Sequence, residues 1–372
     1  MKINKLLPLV FLFIAVPSQA LENIEINSFL SVSASTMSEE GRYLDKVTEH
    51  LSFENDSVYG VNIRTKVNDK ISGAAQLLAT ANDSNFNIEA DWAYLSYKFT
   101  KKSSIRAGML NLSTFLISDY ANIGYLYPWI RTPVEVYQNN PLKNFLGVEW
   151  LHISRFGKST KFTTQLFMGS AQVEKNGLLF RATDGYGFNF QLDVPHFTFR
   201  LGAITPTIQL EGPNGTGTAT IDYVDLDDRG YMYTAGMSID WNNFILYTET
   251  VSTDTEGKTQ AIFPNQTGSY VTIGYKMGDY TPHITIGSSE GDIYTGALPA
   301  GITAAATPLT QDSITYGLRY NVNKSVALKV EHQVIDLEPG LGDGFGTIDA
   351  NTAVPGSVDS YSVTTMAMDV IF

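Results

Sequence analysis

The residues able to make or break bonds are few and scattered. The five histidines, His50, His152, His196, His283 and His332, fall in no His-x-x-x-His spacing that would hold a metal, and none sits in a nucleophile motif. A hydrolase needs a nucleophile, a base and a group that orients the base. The chain has no cysteine, which removes thiolate nucleophiles and thiolate metal sites. No catalytic residue, metal or cofactor is expected. Charge at regular spacing is what the sequence offers instead. Arg64, Lys66, Arg106, Arg200, Arg319 and Lys329 each sit at the polar parity of an alternating run. A second set, Asp119, Tyr120, Arg131 and Glu135, lies in one long segment between such runs. Unpaired charges are costly in an apolar core, so charges facing inward at this spacing imply a wet interior. Their chemistry is electrostatic: opposed charges across a narrow aqueous aperture set up a transverse field that orients water, and radius and lining charge decide what passes. Each cation also has a structural reading, as the partner of an acid such as Asp193, Asp240 or Glu331.

The elements that position these charges show a period of two. Tyr186, Phe188, Phe190, Leu192 and Val194 share one parity, and Gly187, Asn189, Gln191 and Asp193 the other. Pro195-His196 turns the chain, and Phe197, Phe199, Leu201 and Ala203 then oppose Thr198, Arg200 and Gly202. Sustained over the chain, this is the signature of a barrel with one face to lipid and one to water. An Arg or Lys on the lipid face at the midplane costs about 2–4 kcal/mol, whereas a wet lumen tolerates it. Sixteen strands are expected, near 26–36, 57–67, 70–80, 87–99, 104–112, 145–154, 160–171, 184–194, 197–206, 230–241, 243–252, 269–277, 281–289, 312–321, 325–335 and 359–372. Short connections such as Asn68-Asp69, Pro195-His196 and Asn242-Asn243 alternate with long Gly/Asp/Thr/Asn-rich ones. The fold class is therefore all-β, a transmembrane antiparallel β-barrel. Segments 145–154 and 243–252 carry apolar residues at both parities, and their facing stays open.

Composition agrees. Twenty Tyr and twenty Phe accompany a mean hydropathy near zero, as expected when lipid-facing and lumen-facing residues average out. Phe99, Phe197, Trp241, Phe244, Tyr320 and Phe372 flank short turns, where aromatic rings would sit at the headgroup level. Residues 1–20 read as a cleaved signal peptide: Lys2 and Lys5, an apolar run from Leu6 to Val16, then Ser18-Gln19-Ala20. Residues 21–372 then form one barrel domain. Removing the two lysines leaves 23 basic against 38 acidic residues, a net charge of −15. That acidity argues against nucleic acid as a partner.

Two features carry a family resemblance. The last segment alternates through Met366, Met368 and Val370 to a terminal Phe372. The connection from Leu112 to Asn144 is very long and holds Tyr127-Pro128-Trp129-Ile130-Arg131-Thr132-Pro133-Val134-Glu135-Val136-Tyr137 after Arg106-Ala107-Gly108. The chain resembles the general porins of proteobacteria, Gram-negative outer-membrane barrels. The resemblance implies a third extracellular loop folded into the barrel as a constriction, with Asp119, Arg131 and Glu135 projecting into water. It further implies a homotrimer, recognition of the Phe372 signature by the barrel-insertion machinery, and an outer-membrane location among lipid and lipopolysaccharide. The function implied is passive diffusion of small hydrophilic solutes and ions. A substrate-selective channel is the closer alternative, with Tyr120, Tyr125, Tyr127 and Trp129 as an aromatic slide for sugars or aromatic acids. A surface adhesin using the loops at 206–229 and 291–311, or an outer-membrane enzyme, are the more distant ones.

Overall fold

The computed structural model describes residues 23–39, 44, 47–82, 85–139, 142–175, 178–213, 220–222, 228–298, 306, 308–337 and 360–372. The expected signal peptide and much of the loops at 206–229 and 291–311 lie outside them. In chain order the strands are β1 (Ile24–Met37), β2 (Val58–Lys66), β3 (Ile71–Asn82), β4 (Asn85–Lys98), β5 (Ser103–Asn111), β6 (Asn144–Phe156), β7 (Thr160–Lys175), β8 (Leu178–Val194), β9 (Phe197–Pro213), β10 (Thr220–Asp222), β11 (Asp228–Trp241), β12 (Phe244–Thr255), β13 (Gln266–Tyr275), β14 (Tyr280–Gly291), β15 (Gln311–Asn321), β16 (Val326–Leu337) and β17 (Ser360–Ile371). β10 is a three-residue piece that pairs with the end of β9. The other sixteen strands are antiparallel and close on themselves, because β1 pairs with β2 on one side and with β17 on the other (Leu30 opposite Val370). Closure leaves no unpaired edge, which a sheet in hydrocarbon requires.

Alternation turns the barrel inside out relative to a water-soluble protein. Leu201, Tyr233, Ile273, Ile286, Tyr316 and Met366 stand exposed on the outer wall, while Arg200, Thr234, Thr272, Thr285, Thr315 and Thr365 are buried inside. The two open segments now have a facing. In β6, Leu146 and Val148 point out, and Phe145 and Glu149 point in. In β12, Ile245, Glu249 and Val251 point in. Their inward apolar residues exist because part of the lumen is not water: Phe145 packs with Leu110, Leu112 and Phe167, and Val251 packs under the long loop.

The short turns follow from their residues. Asn242 and Asn243 both take positive φ (48° and 69°), the backbone of a type I′ hairpin. Asn68 accepts hydrogen bonds through its side chain from the amides of Lys70 and Ile71, and Thr100 does the same for Lys102 and Ser103. β7 to β9 run further outward than 160–171, 184–194 and 197–206. Register shifts at Gly169/Ala171 and Thr183/Tyr186 switch the parity there and hide the continuing strand. A similar shift lies in β4. Trp92 opposes Gln76 and Ala90 opposes Leu77, so Asp91 is the extra residue, and it points inward.

Candidate functional site

Between β5 and β6 the chain leaves the wall and folds into the lumen. The neck is closed by the amide of Leu112 donating to the Lys143 carbonyl at 2.9 Å. Within the loop are 3-10 turns at Ser118–Tyr120 and Gly124–Leu126 and the short helix α1 (Val134–Tyr137), which Pro133 precedes. Phe115, Leu116, Ile117, Tyr127, Trp129 and Val136 from the loop form one core with Met232, Val251 and Tyr270 from β11, β12 and β13. Trp129 is 1% exposed and meets Tyr270 edge-on at 5.7 Å. Its indole N–H donates to Thr272 (2.9 Å) and Thr285 (3.0 Å). The β11–β17 side of the lumen is thus filled by a packed, ordered loop.

Polar wall residues hold the loop backbone. Thr234 donates to the Thr114 carbonyl at 2.8 Å, and the Leu116 amide donates to Glu249 at 2.7 Å. Arg319 donates to the carbonyls of Tyr125 (2.6 Å) and Tyr127 (2.9 Å). Lys329 donates to the carbonyls of Gly124 and Trp129 and pairs with Asp369 at 2.8 Å. The Ile130 amide donates to Glu331 at 2.9 Å. Arg200 donates to the Ser113 carbonyl and reaches Asp119 at 3.2 Å. On the opposite side, Asn122 donates to Asp91 at 3.1 Å, and Arg131 pairs with Asp56.

The expected site residues separate into three groups. Arg200, Arg319 and Lys329 face inward as alternation requires, but they hold the loop rather than standing free in water. Lys329 has a side-chain exposure of 0%. Glu135 and Arg131 correct the expectation of loop charges projecting into water. Glu135 is 1% exposed and turned into the wall, where Gln311 (2.8 Å) and Ser313 (2.6 Å) donate to it. Arg131 is mostly buried in its pair with Asp56. The reason is the amphipathic loop core, which turns that stretch toward β13–β17.

Asp119 and Arg106 remain at the open side. Asp119 has a half-exposed side chain, with Tyr120 next to it packed on the loop core. Arg106 pairs with the buried Glu149 and lies over the Tyr94 ring at 5.2 Å. Arg64 and Lys66 sit, exposed, at the short-turn end of β2, away from the loop. Lys66 pairs there with Asp69 at 2.9 Å and, by hydrogen bond and charge, holds that carboxyl below its ordinary range. Residues that the sequence did not single out include Asp91, Asp56, Glu249 and Gln76. Beyond the loop, on its outer side, Asp56, Asp91, Asn122, Arg131 and Tyr137 help line a vestibule of 430 Å³.

No protein-family model matches the chain, and no curated protein matches it in sequence. Solved structures do match. In-vitro folded OmpT of Vibrio cholerae, in a trimer form, is 11% identical, with 94% of this chain and 99% of that one covered and a TM-score of 0.59. An anion-selective porin from Comamonas acidovorans is 13% identical, with 94% and 99% covered and a TM-score of 0.58. Salmonella typhi OmpF in complex with daunomycin is 14% identical, with 94% and 98% covered and a TM-score of 0.57. The chain has the general-porin fold. At these identities the likeness is one of fold, and it spans nearly the whole chain. A closed barrel of this fold with this apolar outer wall fits the outer membrane.

Proposed function

We propose that the chain is an outer-membrane porin: a non-enzymatic, water-filled channel for passive diffusion of small hydrophilic solutes and ions. The observation that carries this is the unequal filling of the lumen. The loop packs against β11–β17 and leaves its Asp119 carboxylate half-exposed toward the side where Arg106 stands on β5. Charges of opposite sign on loop and wall give the passage a polar, field-bearing rim. The aromatic slide has less support, because Tyr127 and Trp129 are consumed by the loop core and the Tyr125 ring is covered by Arg319 at 4.8 Å. In planar bilayers the protein should give unitary conductance linear in salt with no saturable solute block. Absence of channels would overturn the proposal, and saturable block by a sugar or aromatic acid would replace it with a selective pore.

Arg106→Ala should shift the reversal potential in a salt gradient toward cation preference. It removes a cation and leaves the buried Glu149 carboxylate without its cationic partner. An unchanged reversal potential would remove Arg106 from the selectivity-determining set.

A homotrimer is part of the same proposal. The outer wall of β1–β5 carries small side chains at Ala34, Ala75, Ala79, Ala90, Ala93 and Ala107, while β13–β15 carry Ile273, Tyr275, Ile284 and Tyr316. His332, bonded to Thr364 at 2.9 Å, is polar and exposed on the neighbouring outer face. Small residues permit close approach of a second wall, and polar groups at lipid depth favour protein contact. Light scattering of the detergent-solubilised protein should give three chains per particle; a monomer mass would count against it. Phe372, exposed and stacked with Tyr59 at 6.3 Å, is in place to be read by the insertion machinery during assembly.

A further inference from the structure

Behind the loop, between α1 and the wall, is a small cavity lined by Trp129, Glu135, Thr285, Ser313, Thr315 and Glu331, among others. Its free volume is 20 Å³, room for about one water-sized particle. Two carboxylates line this space together with Arg131, and the cations here are already engaged: Arg131 by Asp56, and the neighbouring Lys329 by Asp369 and loop carbonyls. His283 reaches Glu331 at 3.3 Å from the wall side. Glu135 is 1% exposed, and its two oxygens are treated unequally. Oε1 receives both Gln311 and Ser313, whereas Oε2 has no hydrogen-bond partner among the described residues. A bare carboxylate oxygen with no donor calls for a positive charge, since an unsatisfied buried carboxylate oxygen is strongly disfavoured.

We propose that this cavity binds one hard cation, of the Ca²⁺ class, held by Glu135 and Glu331 with hydroxyl oxygens from Thr285, Ser313 and Thr315. Among the described residues no cluster of three His, Cys, Asp or Glu side chains exists. The donor set is therefore two carboxylates supplemented by neutral oxygens, which hard cations accept. The ion would tie α1 to β14, β15 and β16, so that the rigidity of the loop would depend on it. Such an ion would hold the loop whether or not the pore conducts.

Trp129 lines the cavity, which provides a direct readout. Tb³⁺, a luminescent stand-in for Ca²⁺, should show tryptophan-sensitised emission when titrated into the detergent-solubilised full chain, and Ca²⁺ should compete it away. Glu135→Gln and Glu331→Gln should each abolish the emission. Retained heat-modifiable gel mobility would show that each variant is folded. Lack of sensitised emission in the native protein, or emission unchanged in folded Glu135→Gln, would overturn the proposal.

Discussion

Gly268→Val should release α1 from the wall, widen the passage and raise the unitary conductance while leaving the barrel assembled. A Cβ at Gly268 would run into the Glu135 carbonyl oxygen and lie 2.9 Å from the Asn139 side chain. The obstacle at Glu135 is backbone, so no rotamer change relieves it. The next strand shows the same design: a Cβ at Gly287 would meet the Glu135 carboxylate at 2.6 Å. These two glycines form a flat seat on β13 and β14 into which the loop helix is set. Overpacking a fitted contact costs about 1–3 kcal/mol. Here the cost falls on docking, because the side chain points into the lumen and leaves the outer face and the β12–β14 ladders unchanged. The measurement is single-channel conductance alongside the size limit for neutral sugars in liposome swelling. Wild-type values for both, in a correctly inserted variant, would mean that α1 does not narrow the passage.

How much of this was readable beforehand follows from the range of the interactions. Alternation is local, so sixteen strands, the facing of all but β6 and β12, and the short turns can be read from windows of about ten residues. Asp91 was hidden, yet it left a trace. Phe86 and Ile88 keep one outward parity, Leu95 and Tyr97 the other, and the switch between them is the bulge that turns Asp91 inward. The loop is different. Its anchors lie 205 residues apart for Gly124–Lys329 and 201 for Ile130–Glu331. Parity correctly places Lys329 and Arg319 inside, but whether they meet water or a loop carbonyl depends on the path the loop takes. Arg131 and Glu135 were misplaced for that reason: with two prolines and many aromatics the segment is legible as ordered, but not as packed against one particular wall. The inward apolar residues of β6 and β12, which made their facing ambiguous, were the sign that part of the lumen is dry.

Lys329→Met should lower the temperature at which the folded barrel converts to its heat-denatured gel form and should also loosen the loop, two effects that a second substitution can separate. Met keeps most of the aliphatic stem and removes the ammonium. Asp369, 3% exposed, would keep only the Ser31 hydroxyl at 2.6 Å. Breaking one side of a buried ion pair costs about 3–5 kcal/mol, mostly because a lone charge stays behind. Replacing both partners with neutral groups is far milder. Lys329→Met with Asp369→Asn should therefore recover most of the lost thermal stability. It should not recover the loop, since the carbonyls of Gly124 and Trp129 still lack the donor that Lys329 supplied. Single-channel current noise should remain raised in both variants. If the single variant matches wild type in thermal stability, Lys329 does not carry its charge against Asp369. If the double variant restores quiet current as well, the ion pair alone positions the loop and the two carbonyl contacts are incidental.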